Sequence, residues 1–153
     1  MPLYNPSFLA SGDIFPARFV TISGEFTVAE VSAQANPIIG VSQEGTFDPP
    51  NLATLLGGTE SKLAAKAGKS LKVFGLGDVC MVLAGDTVTA GTKVVAHSVT
   101  TGSGGSAVTV FSGKAKNIPA TAGQYQVGGI ALNSVVAGEK VLIQVNPHVV
   151  EVA

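Results

Sequence analysis

The sequence predicts a mainly β fold, a compact β-barrel or sandwich of short strands with one short helical insertion and an extended N-terminal arm. Three observations predict it. Short runs rich in Val, Ile, Phe and Thr recur along the chain and are closed by Gly, Pro, Asn and Ser, a pattern that marks strands and turns. The phrase Thr87-Val-Thr-Ala-Gly-Thr-Lys-Val94 returns 47 positions later as Ser134-Val-Val-Ala-Gly-Glu-Lys-Val141. Only residues 48–67 show helical spacing.

The elements follow in order. Residues 1–17 are expected to form an arm, because Pro2, Pro6 and Pro16 obstruct regular pairing. Leu3, Tyr4, Phe8, Leu9, Ile14 and Phe15 make that arm too apolar for an indifferent tail. Without periodicity, it suits grooves on a neighbouring molecule better than its own domain. A single β-rich domain is expected over 18–153. It opens with Phe19-Val-Thr-Ile and Glu25-Phe-Thr-Val-Ala-Glu-Val31, separated by Ser23-Gly24. Asn36-Pro37 turns the chain into the apolar run that follows.

In the insertion at 48–67, Asp48 can cap a helix with Pro49 in its first turn, and Leu52, Leu55 and Leu56 fall on one face. A second short helical piece is expected from Glu60 to Ala67, capped by Thr59 and ended by Gly68. It would align Lys62, Lys66 and Lys69 on one side.

Strands resume at 71–74, 79–83, 93–98, 108–111, 127–132, 141–145 and 149–152, and Pro147 is expected to end the run before it. Thr101-Gly-Ser-Gly-Gly-Ser106 is a low-complexity loop. In the repeated phrase, Gly91 and Gly138 supply backbone that tolerates φ > 0. The flanks of the two copies diverge quickly, so the phrases are expected to be equivalent turns of one β framework, not a duplicated domain.

Composition narrows the function. The 153 residues suit one domain, able to bury about 70% of its unfolded surface. Charged residues make up 12% of the chain, against about 25% in an average soluble domain. Such a surface repels neighbours weakly and suits life packed against other molecules. The net charge of −1 lacks the basic excess of a general nucleic-acid binder. No apolar run reaches membrane-span length, and the N-terminus lacks the pattern of a secretory signal. The lone Cys80 reads as a small buried hydrophobe in a protein made in a reducing cytoplasm.

Chemistry is sparse. His97 and His148 stand apart, without zinc-ligand spacing, and read as ordinary polar strand residues. There is no GxSxG elbow, no Walker A lysine motif and no paired carboxylates. No enzyme, cofactor or metal is therefore expected. The lysine set Lys62, Lys66, Lys69 and Lys72 reads as a solvated helix face, with a basic docking patch as its sharper alternative.

The order of segments resembles the capsid decoration (cement) proteins of tailed bacteriophages. The likeness is carried by Glu25-Phe-Thr-Val, Pro37-Ile-Ile-Gly-Val, the Ala-Gly turn with Lys93-Val94, Val127-Gly-Gly-Ile-Ala-Leu132 and Val136-Ala-Gly-Glu-Lys-Val141-Leu-Ile-Gln-Val145. It covers roughly 18–45 and 71–146, and leaves out the arm and the insertion. The resemblance implies a β-rich protein that forms homotrimers on the outer capsid surface, clamps the major capsid protein against genome pressure and carries no catalytic residues. Another virion β module, such as a tail or baseplate adaptor or a receptor-binding module, is the first alternative. A small hydrolase with a spatially assembled site is the second.

Overall fold

The computed structural model describes residues 7–45 and 63–153. Among the described residues, eleven strands form two sheets. The first sheet contains β1 (Phe8–Ala10), β2 (Phe19–Gly24), β3 (Thr27–Glu30), β4 (Gly40–Ser42), β5 (Ser70–Leu71) and β6 (Val73–Phe74), in the order β5-β1-β3-β2-β4-β6. The second contains β7 (Val79–Leu83), β8 (Lys93–Thr101), β9 (Val108–Asn117), β10 (Gly123–Ala131) and β11 (Lys140–Val152), in the order β7-β11-β10-β8-β9. The mainly β sandwich expected from the sequence is the observed architecture.

The first sheet is mixed, since β1 runs parallel to β3 and its remaining pairings are antiparallel. Both of its faces are covered, as period-2 alternation shows. Phe19 and Val20 are adjacent and both 0% exposed, yet they belong to different cores. Phe19 joins Val41 and the second sheet's Val82, Val94, Val141 and Ile143 in the core between the sheets. Val20 joins Ala10, Ile14, Val28, Leu71 and Val73 beneath the outer face.

The second sheet is antiparallel and bends back on itself: Ala84 bridges Ala115, and Gly85 N–H donates to the Ala115 carbonyl at 2.8 Å. β11 runs through Pro147 instead of ending there. A register shift falls between Val127 and Gly129 of β10, opposite this point of β11. β7 pairs with β11 only from Lys140 to Gln144, so no ladder on that side needs the N–H that proline lacks.

Two further expectations are corrected. Residues 7–17 do not form a separate arm: β1 pairs with β3 and β5, and Ile14 exchanges backbone bonds with Ala65 at 2.9 and 3.2 Å. Proline at 6 and 16 flanks this stretch without interrupting it, which left room for a short strand between. The helix expected up to Ala67 is absent from its described part. Leu63 to Ala67 are bend, bridge and turn, with Ala64 and Ala65 fully buried against Ile14. Burial of two alanines outweighs the local helical preference. Residues 48–62 of that insertion lie outside the described residues. Among the described residues the only helical turn is a short 3-10 piece, Gly104–Ser106, at the tip of the β8–β9 hairpin.

Candidate functional site

The described residues bring together no catalytic constellation. No group of three or more His, Cys, Asp or Glu side chains among them could hold a metal ion. The His97 ring packs on Gly85, where a Cβ would collide with it. Burial, then the nearby Lys116, holds its pKa below the usual histidine value. His148 Nδ1 lies 2.7 Å from the Asn146 carbonyl, within its own strand. Cys80 is buried, and its thiol is pushed up to about 12 by burial, with Glu44 and Asp78 adding to the effect. A thiol held protonated in this way is a poor nucleophile.

The cleft between the sheets is small. Loop residues Ala33, Gln34 and Asn36 face Ser98, Lys116 and Tyr125 across about 30 Å³, room for one or two waters. Gln34 Nε2 closes one side by donating to the Gln124 carbonyl at 2.7 Å. Lys116 Nζ donates to Ser98 Oγ at 2.9 Å. This is a packing seam, not a substrate pocket.

What the fold does display is an exterior poor in charge and apolar in places. The outer halves of β8 and β9 leave the body as a two-stranded ribbon, and Val99, Thr100 and Thr101 face Val110, Thr109 and Val108 in register. Consecutive residues on both strands are exposed, so both faces of the ribbon meet solvent. Val99, Val108 and Val110 are 49%, 57% and 61% exposed. From Ser98 to Gly113 no residue is charged. A second exposed group lies at the end of the first sheet, where Ile22 and Phe26 sit on the β2–β3 hairpin and Leu9 N–H donates to the Phe26 carbonyl at 2.8 Å. Phe26 holds φ at 50°, uncommon for a bulky residue.

The residues proposed from sequence as contacts separate into different environments. Leu3, Tyr4 and Lys62 lie outside the described residues. Ile14 is fully buried and unavailable to a partner, and Phe8 packs against the same core. Leu9 and Phe15 remain accessible at 46% and 42%. Arg18 lies over the Phe15 ring at 5.6 Å from its centroid. Phe15 N–H donates to Glu30 Oε1 at 2.6 Å. Burial raises the Glu30 pKa, offset in part by that bond, by Arg18 and by Lys114. Lys66 and Lys69 are exposed around a turn closed by Lys69 N–H to the Lys66 carbonyl at 3.0 Å. They do not share a helix face. Lys72 sits over the Phe74 ring at 5.0 Å.

Gly91 and Gly138 are scaffold positions, with φ of 82° and 90° and open space where a Cβ would stand. Their need for glycine is therefore conformational, not steric. Sequence reasoning read the β9 side of the ribbon within 108–111 but missed its β8 side, Val99 to Thr101, because it ended that strand at 98, and it missed the inner half of β9 beyond 111. The available signal was the uncharged Val-Thr alternation on both sides of the glycine loop.

No protein-family model matches the chain, and no curated protein matches it. Among solved structures, the chain is similar to the head fiber gp8.5 N base in bacteriophage phi29, at 16% identity and a TM-score of 0.44, over 92% of this chain and 91% of that one.

Proposed function

We propose that this chain is a structural virion protein of a tailed bacteriophage, a decoration protein that binds the outer surface of the major capsid protein shell as a homotrimer and stabilises it against internal genome pressure. It acts without catalysis or a cofactor. The observation that carries the reading is a surface poor in charge, with Leu9, Phe15, Ile22, Phe26, Val99, Val108 and Val110 accessible on the β frame. Such a surface buries apolar area without first stripping water from charges. Trimer formation would let three modest contacts act together through effective concentration. The segment order shared with decoration proteins supports the same reading.

The test is the copy number of the protein in purified particles together with its mass in solution. Decoration requires copies in the hundreds, distributed over the head, and a trimeric mass. A handful of copies confined to the tail would replace this reading with that of a tail or baseplate adaptor.

A further inference from the structure

We infer that the outer edge of β9, from Val108 to Ser112, pairs antiparallel with the same edge of a second copy of this chain, joining two second sheets into one. The inference goes beyond the decoration reading and does not depend on it.

Open sheet edges invite pairing, and proteins ordinarily guard them with short strands, charges, proline or covering segments. Here the other edges are guarded. The first sheet ends in the two-residue strands β5 and β6. The free side of β7 is occupied: Met81 N–H donates to Glu44 Oε1 at 3.1 Å and Leu83 N–H to the Ala17 carbonyl at 3.0 Å. Beyond β7, the free side of β11 carries Pro147 and Glu151. The inner half of β9 is covered, since Gly113 lies against the Phe19 backbone and the Ala115 carbonyl accepts from Gly85. Its outer half has none of these devices. Val108 to Phe111 make no main-chain hydrogen bond to any described residue outside the ladder to β8.

Charge and symmetry select the occupant. A second copy finds its other edges covered, short or guarded, so the complementary edge it offers is β9 itself. Two identical strands meet antiparallel about a two-fold axis, the isologous arrangement. Like charges facing each other would oppose that pairing. For an axis passing anywhere from Thr109 to Ser112, Lys114 falls opposite an uncharged residue between 104 and 110. With the axis at Thr109 or Val110, Val108 and Val110, both more than half exposed, would meet valine or Ser112 across the junction. An isologous contact joins copies two at a time, so a trimer would meet one partner trimer face to face through three such contacts, which again doubles the mass of the unit.

The test is the mass of the purified protein from dilute to concentrated solution, with Val110→Lys and Val108→Lys as variants. Both side chains are exposed, so each variant should keep the circular dichroism and melting temperature of the parent. The expected result is a doubling of mass over the dilute unit, whether that unit is one chain or three, and loss of the doubling in both variants. Amide exchange within 108–112 should slow when the mass doubles. A Val110→Cys variant should form a cross-linked pair under oxidation, with buried Cys80 uninvolved. Absence of doubling, doubling that survives both lysines, open-ended aggregation or unchanged exchange at 108–112 would each overturn the inference. The dilute mass separately decides the trimer.

Discussion

Val88 and Val135, 47 residues apart, exchange both backbone hydrogen bonds, at 2.9 and 3.0 Å. The same offset relates the surrounding contacts. Gly91 N–H donates to the Ala131 carbonyl at 2.8 Å, and Gly138 N–H to the Ala84 carbonyl at 2.9 Å. Ala131 N–H donates to Thr92, and Ala84 N–H to Glu139. The strand pairing follows: Lys93 opposes Ile130 as Lys140 opposes Leu83. The two units, β7–turn–β8 and β10–turn–β11, are thus interlocked about a pseudo-two-fold axis, each pairing its strands with the other unit's. The equivalence reaches beyond the turns.

This symmetry predicts matched costs. Gly91→Ala and Gly138→Ala should each destabilise by about 1–2 kcal/mol, the cost of left-handed backbone for a residue with a Cβ. Urea unfolding would measure both. A large cost at one position with none at the other would contradict the equivalence.

Gly128→Ala should be far more severe. A Cβ there would enter the space of the fully buried Phe19 ring. Overpacking typically costs about 1–3 kcal/mol and occasionally more, and a fully enclosed ring puts this site at the upper end. Phe19→Leu in the same chain should recover part of the loss, leaving a coupling of about 0.5–3 kcal/mol in a double-mutant cycle.

Ile14 and Phe15 separate folding from binding. Ile14→Ala should cost about 2–5 kcal/mol, since it opens a cavity in the outer core. Phe15→Ala should stay within about 1 kcal/mol of the parent, because the ring is 42% exposed and contributes mainly its contact with Arg18. If Phe15 meets the capsid, occupancy on purified shells should fall in Phe15→Ala while the melting temperature holds.

Glu30 should give stability a pH dependence of defined sign. Its folded pKa is raised, so its contribution is fully present below the ordinary carboxylate value and is lost as pH rises through the raised one. Glu30→Gln removes that titration. The stability of the variant relative to the parent should therefore improve from pH 4 to pH 7, as denaturant midpoints at each pH would read. A relative stability that falls over this range would reverse the assignment.

Much of the strand framework was legible in local pattern. The run at 79–83 is β7 to the residue, because the alternate residues Cys80 and Val82 face one core and turn residues bound it. The alternation Phe19-Val-Thr-Ile was legible as a strand but not as one buried on both faces. Which residues cover its second face depends on Ala64, Ala65 and Ile14, far apart in the chain. Strand β8 was shortened at 98 and β9 at 111 because Thr, Ser and Gly carry weak strand signal, so only the β9 side of the ribbon was legible.

The sequence by itself determined the β class, the turn positions at Gly91 and Gly138, the low charge and the scarcity of catalytic motifs, since each follows from residue type and short-range spacing. Tertiary structure decided the rest. It placed Ile14 inside and Phe15 outside, replaced helix by turn at 63–67, exchanged strands between the two 47-residue-related units and, among the described residues, left the outer edge of β9 without a backbone partner. These outcomes depend on long-range burial and on which backbone groups find partners, and neither quantity exists until the chain has closed on itself.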